Sequence, residues 1–209
     1  MKTQNIKNSN KIITVFTSTM LTLTAYVNAQ TATNSGMTGT AGNGNTPTDW
    51  SSGATTPDIY TPSTATSGGF STPPDGSFVA MIATTTNSGT EYIQQSISGL
   101  TDGQQYEIHY DFARSNANTL NTPGAFDITF GSQTLSSGVA EIAWNQESLI
   151  FIATTEIQTL RFSPKKTSSG FASYLGLDNV TITTKGVPEP SSAALLGLGS
   201  LGLLIRRNR

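Results

Sequence analysis

The sequence has no cysteine and only one histidine, His109, among its 209 residues. Without cysteine no disulfide can hold the fold together, although exported domains commonly use disulfides. A hydrophobic core, a bound metal or both must therefore stabilise it. A single histidine excludes H-E-x-x-H and other spaced histidine sets, and the nucleophile motif G-x-S-x-G is also absent. We therefore predict that the protein is not an enzyme.

Charged residues are scarce, at 11% of the chain, and basic residues concentrate at the two ends. Between residues 30 and 186 there are five basic and twelve acidic residues, which gives a formal charge of −7, whereas the whole chain has −2. An acidic domain of this kind lacks the basic surface that nucleic-acid binding needs, so no nucleic-acid partner is expected.

The N-terminus has the pattern of a secretory signal peptide. Lys2, Lys7 and Lys11 precede an apolar stretch at 12–27, and Val27 and Ala29 supply the small residues of a cleavage site. The sequence therefore predicts a signal peptide at 1–29 and an exported protein.

The chain also lacks a long hydrophobic run. The longest one near the C-terminus, 193–205, would measure about 20 Å as a helix, whereas a comfortable membrane span needs about 20 apolar residues. We expect a short apolar helix at 191–205 and a basic end at 206–209, with Arg206 and Arg207 on the cytoplasmic side. Such a helix is a marginal membrane anchor.

The apolar run follows a short Pro-Glu-Pro block formed by Val187, Pro188, Glu189 and Pro190. Motif, apolar run and basic end together resemble the PEP-CTERM sorting signal, which is read by the membrane enzyme exosortase. The resemblance implies that 187–209 is a temporary membrane anchor, which associates with the inner membrane only transiently. It also implies a final location in the cell envelope, on the outer surface or in the extracellular matrix. The alternative is an ordinary C-terminal transmembrane helix.

Between the two signals the pattern is that of β-strands, with no helical periodicity. The stretch 106–112 alternates apolar and polar residues throughout, as a half-buried strand requires, and 125–130 repeats this. We predict an all-β, antiparallel β-sandwich with its core at 75–186, preceded at 30–74 by an edge strand around Met37 and long loops that fold back on the domain. The predicted strands are 78–86, 91–97, 106–113, 125–130, 147–154, 159–162 and 174–183.

The order of several short motifs is similar to that of the galactose-binding-like jelly roll found in carbohydrate-binding modules. This resemblance implies a jelly-roll sandwich and a sugar ligand, such as the exopolysaccharide of a biofilm matrix. The motifs are Pro74-Asp75-Gly76, Phe78-Val79-Ala80, 92–97, Gly99-Leu100, 106–112, Leu160-Arg161-Phe162 and 176–180.

Candidate ligand-binding residues are of two kinds. Aromatic residues near predicted loops can form platforms for sugar rings, or they can simply pack under the loops. His109 lies beside Glu107 and Asp111 on the polar side of its strand, which is typical either of a binding face with a general base or of a solvated sheet face. Glu107 and Asp111 could also form a glycosidase pair. The aromatic residues are Trp50, Tyr60, Tyr92, Trp144 and Tyr174; the predicted ligand-binding set is Trp50, Tyr60, His109, Asp111 and Trp144.

A change of register near Asp178 predicts a β-bulge, because Leu175 and Leu177 share one parity and Val180 and Ile182 the other. The galactose-binding-like resemblance implies a structural calcium near here, held by Asp178 and oxygens from 34–38. The alternative is a loop-bracing hydrogen bond from the Asp178 carboxylate.

The predicted function is that of an exported surface or matrix protein whose non-catalytic sandwich binds carbohydrate. The alternatives are a purely structural or adhesive protein and, third, a glycosidase or lyase.

Overall fold

A computed structural model describes residues 32–53, 57–87 and 91–185. The predicted signal peptide at 1–29 and the sorting signal at 187–209, with its helix at 191–205, lie outside these ranges. In the described ranges no helix has the length and apolar character needed to cross a membrane.

The described chain forms ten strands and one short turn of 3-10 helix, at Ala65–Gly68. The strands are β1 (Ser51–Ser52), β2 (Asp58–Tyr60), β3 (Phe78–Ala83), β4 (Ile93–Ser98), β5 (Gln105–Arg114), β6 (Gly124–Phe130), β7 (Gln133–Ser136), β8 (Asn145–Ile152), β9 (Ile157–Lys166) and β10 (Ser173–Thr184).

These strands form two five-stranded antiparallel sheets, which confirms the predicted β-sandwich. We call them the β9 sheet, with the order β1-β4-β9-β6-β7, and the β10 sheet, with the order β2-β3-β10-β5-β8. Each is named after its central strand.

The main hydrophobic core lies between the two sheets. The alternating residues of β5 and β6 point into it as predicted: Tyr106, Ile108 and Tyr110 from β5, and Phe126 and Ile128 from β6 are all at most 2% exposed. Period two in the sequence therefore decides which side of each strand is buried.

A second apolar cluster covers part of the outer face of the β10 sheet. Loop residues cover this half of the sheet, so its outer side is not uniformly polar. The cluster consists of Ala65, Phe70, Phe78, Ala80, Ala113 and Tyr174, with Tyr60, Ile82, Leu120 and Trp144 packed against it.

The N-terminal segment docks on the sandwich through hydrogen bonds rather than through a long strand. The buried Gln95 side chain accepts a hydrogen bond from Thr33 N at 3.0 Å and donates to Thr33 O at 3.1 Å and to Asp49 O at 3.0 Å. The predicted edge strand around Met37 is wrong. Met37 lies in a turn with φ of 50° and is fully buried in the core. Its side chain is drawn inward by the hydrophobic effect, and a left-handed backbone conformation cannot continue a strand.

The predicted bulge in the last strand is confirmed. The pairing of β10 with β5 shifts register between Asp178 and Thr181, and Asn179 has a φ of 51°. In a β-bulge, an extra residue and a neighbour with a left-handed backbone conformation commonly change the direction in which the strand's side chains point. Here it leaves Asp178 buried while Thr181 and Thr183 continue along the outer face.

Candidate functional site

A row of polar side chains crosses the outer face of the β9 sheet. Strand pairing places the members side by side, one from each of the five strands. Their sequence neighbours on β9 and β6 point into the core, so these side chains point outward. The row, which we call the β9 row, consists of Ser51, Gln94, Arg161, Thr129 and Thr134.

Arg161 lies at the centre of this row and is held from two sides. Its guanidinium carbon lies 4.0 Å from the centroid of the Tyr92 ring. Its Nε and Nη2 atoms donate to Gln94 Oε1 at 2.9 and 2.7 Å. These contacts fix a planar cation against the sheet before any ligand arrives, which lowers the entropic cost of binding through it.

No carboxylate among the described residues neutralises the charge of Arg161. In the described residues no Asp or Glu oxygen lies within 4.0 Å of the guanidinium. Its Nη1 makes no hydrogen bond within the same ranges. The side chain can therefore still donate hydrogen bonds to a ligand lying on the sheet.

Hydroxyl groups and one ion pair surround Arg161. The Thr129 and Thr134 hydroxyls lie 2.9 Å apart. Next to them, Lys165 Nζ is 2.6 Å from Asp127 Oδ1, and Ser136 contacts both partners. Amide, hydroxyl and guanidinium groups beside an aromatic ring can bind the hydroxyl-rich surface of a sugar chain.

The predicted residues His109 and Asp111 lie on the opposite side of the sandwich, on the outer face of the β10 sheet. His109 Nε2 is 3.9 Å from Glu107 Oε2, and Lys185 Nζ is 3.6 Å from the same oxygen. A hydrogen bond from Ser148 at 2.7 Å lowers the pKa of Glu107, and the charges of Lys185 and His109 add to this effect. Asp111 is only 8% exposed.

Trp144 and Tyr60 pack in the second apolar cluster. The Trp144 indole makes an edge contact with Phe78 at a centroid distance of 5.1 Å, and its Nε1 donates to Ser71 O at 3.1 Å. Tyr60 stacks on Phe78 at 5.4 Å and lines a surface pocket of about 240 Å³. Both rings are partly exposed. Trp144, His109 and Asp111 thus share one face of the sandwich, and Tyr60 lies at its edge.

Trp50 is not a surface platform. It is 7% exposed and belongs to the main core, where its ring centroid is 6.4 Å from that of Phe162. Its Nε1 points at Asn34 O at 3.4 Å. Because the N-terminal segment folds over the end of the sandwich, this large apolar side chain gains more from burial than from exposure.

The bulge brings together several oxygen atoms around Asp178. The Asp178 side chain is fully buried; its Oδ1 accepts a hydrogen bond from Asn179 N at 2.8 Å, and its Oδ2 has no hydrogen-bond partner in the described chain. The pKa of Asp178 is raised to about 7, mainly by burial; the negative charges of Asp111 and Asp75 also raise it, and the hydrogen bond from Asn179 N lowers it. On the other side, Val180 N donates to Ser35 O at 3.1 Å, so the turn at 34–38 lies beside the bulge.

No group of three or more Asp, Glu, His or Cys side chains in the described ranges has the spacing of a metal site. The Asp178 carboxylate accepts a hydrogen bond from the backbone N–H of Asn179, its neighbour in the bulge of β10, and not from a loop residue.

Sequence reasoning named Tyr92 only as one of five loop aromatics and did not name Arg161 or Gln94 as site residues. Arg161 stands between two apolar residues in the Leu160-Arg161-Phe162 stretch, which already placed it on the polar side of a strand. A basic residue on the polar side of a strand, in a domain that is otherwise acidic, was the feature of the sequence that could have indicated this site.

Comparison with known families identifies the C-terminal signal. Residues 186–209 match the model of the PEP-CTERM protein-sorting motif. The chain therefore carries this sorting motif, as predicted, and the motif implies export, an envelope or surface location and processing by an exosortase. No curated protein matches the chain significantly.

Several solved structures are similar in fold. They include TmCBM61 in complex with beta-1,4-galactotriose (11% identity over 75% of this chain and 99% of that chain, TM-score 0.47). Another is the CBM22-1 xylan-binding domain from Paenibacillus barcinonensis Xyn10C (12% identity over 71% of this chain and 100% of that chain, TM-score 0.45). A third is the family 35 carbohydrate binding module from Clostridium thermocellum (14% identity over 65% of this chain and 92% of that chain, TM-score 0.42). At these identities and TM-scores the likeness concerns the β-sandwich alone.

Proposed function

We propose that the protein is an exported, non-catalytic component of the envelope or extracellular matrix, and that the outer face of its β9 sheet binds exopolysaccharide. The sorting motif supports the location. The observation that carries the binding function is Arg161, a partly exposed cation held over Tyr92 by Gln94 and without a carboxylate partner among the described residues.

The dimensions of the β9 row favour a chain rather than a single sugar. Five neighbouring strands spaced about 4.8 Å apart give a row about 19 Å long. The row is open, since its members lie on five adjacent strands of one sheet. A long, shallow surface with distributed hydrogen-bond donors suits a polysaccharide that contacts several positions weakly.

Affinity electrophoresis through gels that contain extracted exopolysaccharide tests this proposal. Arg161→Ala should reduce the retardation of the protein roughly tenfold or more, because a hydrogen bond to a charged donor contributes about 1.5–3 kcal/mol. Tyr92→Ala should reduce it roughly two- to tenfold, because an aromatic contact contributes about 0.5–1.5 kcal/mol. His109→Ala, on the opposite face, is the matched control and should be retarded like the wild type.

Three outcomes would contradict the proposed function or its site. Unchanged mobility of the wild type in every gel would leave the purely structural or adhesive role. Loss of retardation only in His109→Ala and Trp144→Phe would move the site to the β10 sheet, where sequence reasoning placed it. Release of reducing sugars from the gel polysaccharide would identify a glycosidase or lyase.

We also propose a structural calcium at the bulge. The fit rests on the orphaned, buried Oδ2 of Asp178, the nearby Asp111 carboxylate and the adjacent turn at 34–38, because hard cations prefer oxygen ligands. Calcium would compensate the charge of Asp178 and fasten the N-terminal turn to the last strand. A chelator should then lower the melting temperature of the wild type, whereas Asp178→Asn should be insensitive to it. An unchanged wild-type melting temperature would refute the calcium site.

We also propose how the C-terminal signal acts at the membrane. The apolar run at 191–205 anchors the protein in the inner membrane only transiently, and exosortase then removes it. The mass of the protein recovered from the cell surface tests this step. A product that still contains Arg209 would contradict it.

A further inference from the structure

The cationic side chains of this acidic domain are unevenly distributed. The described ranges contain five basic and twelve acidic residues. Three of the five basic residues lie on β9, which is the central strand of the candidate binding face. They are Arg161, Lys165 and Lys166.

The same face carries little negative charge. On the outward side of β4, β9, β6 and β7 the only carboxylate is Asp127, and it is paired with Lys165 at 2.6 Å. Arg161 donates to Gln94 and is not paired with a carboxylate in the described chain, whereas Lys166 has the inward parity of Leu160 and Phe162 and does not belong to this face. The face therefore has a net positive charge, while the domain as a whole is acidic.

We propose that the polysaccharide bound on the β9 sheet is acidic, with a carboxylate on its sugar rings that pairs with Arg161. This inference rests on the proposed function and names its ligand class. A guanidinium presents parallel N–H groups that match the two oxygens of a carboxylate. Nη1 makes no hydrogen bond within the described residues, and Nη2 has a second N–H besides the one donated to Gln94, so these two nitrogens can donate together to a carboxylate. The Tyr92 ring, 4.0 Å from the guanidinium carbon, helps to hold the group in place.

The charge distribution also sets how an acidic chain can approach. The acidic remainder of the domain repels a polyanion, whereas the β9 face attracts it, so the chain is steered to this face. This attraction weakens as salt shortens the screening length from about 10 Å at 0.1 M to about 3 Å at 1 M. A neutral polysaccharide would show neither the steering nor the salt dependence.

The experiment compares polyuronates with their carboxyl-reduced forms, which keep the same backbone without the charge. Alginate and polygalacturonate serve as probes, each before and after reduction, with the purified protein in affinity gels and by calorimetry. We expect at least one polyuronate to bind roughly ten- to hundredfold more tightly than its reduced form. Arg161→Ala should abolish this preference. Arg161→Lys keeps the positive charge but loses the parallel N–H groups of the guanidinium, so it should retain only part of the preference for the polyuronate.

Lys185→Ala removes a cation from the opposite face and is the matched control; its preference should equal that of the wild type. Equal binding of the polyuronates and their reduced forms would overturn the acidic-ligand inference while leaving the proposed function intact. Binding of neither form, together with retardation by a neutral exopolysaccharide, would also overturn it. Failure to bind any polysaccharide would refute the proposed function itself.

Discussion

Glu91 makes the stability of this domain depend on pH, and the direction can be worked out from the structure. The residue precedes β4, is 5% exposed and accepts a hydrogen bond from the backbone N–H of Ile82. Burial raises the pKa of Glu91 from 4.5 to about 7; the hydrogen bond from Ile82 lowers it and the charge of Asp58 raises it. Replacing the carboxylate by its neutral isostere, Glu91→Gln, removes this titration.

Whether stability rises or falls with pH follows from how the folded and unfolded states bind the Glu91 proton. The folded protein holds the Glu91 proton up to about pH 7, whereas the unfolded chain releases it near pH 4.5. The stabilisation is therefore complete below pH 4.5 and disappears as the pH rises to about 7. A difference of roughly 2.5 pKa units corresponds to about 3 kcal/mol in the free energy of unfolding.

Urea unfolding of the wild type and of Glu91→Gln between pH 4.5 and 8 measures this effect. The variant should be as stable as the wild type at pH 4.5 and more stable at pH 8 by up to about 3 kcal/mol. Asp178, whose pKa burial also raises to about 7, contributes a slope of the same sign in both proteins, so their difference isolates Glu91. Glu156→Gln, at an exposed position, is the control. Equal destabilisation of Glu91→Gln at both pH values would show that Glu91 does not cause the pH dependence of stability.

Three further substitutions test the packing. In Gly176→Ala the new Cβ would lie 2.9 Å from Trp144 Cη2, so overpacking should cost about 1–3 kcal/mol and shift the Trp144 fluorescence; an unchanged urea midpoint would contradict this. Trp50→Ala should cost about 3–5 kcal/mol in urea unfolding, and a loss below 1 kcal/mol would mean that Trp50 is not a core residue. Gln133 hydrogen-bonds to both backbone groups of Ile152 on the edge strand β8; Gln133→Ala should expose that edge and increase self-association in sedimentation, and an unchanged monomer would refute it.

The sandwich itself was predictable because its long strands carry strong local patterns. The alternation in β5 and β6 identified the buried side of each strand, and the parity change near Asp178 located the bulge. Strands β1, β2 and β7 were missed. They have two, three and four residues and contain mostly polar side chains, so they exist only because a longer strand pairs with them.

The candidate site was harder to predict because it is assembled by strand pairing. Gln94 and Arg161 are 67 residues apart in sequence, and nothing in either stretch indicates that β4 and β9 are neighbours. Trp50 illustrates the reverse case. An aromatic residue in a Ser/Thr-rich stretch looked accessible, yet the hydrogen bonds of Gln95 draw that stretch over the core.

The most direct test of the account is to map the polysaccharide on the protein by NMR. Backbone amide shifts of the labelled protein are recorded during a titration with the polysaccharide that retards it most. We expect the largest changes to fall on β4, β6 and β9 around Arg161 and to disappear in Tyr92→Ala. Changes centred instead on His109 and Trp144, with the β9 row unaffected, would contradict it.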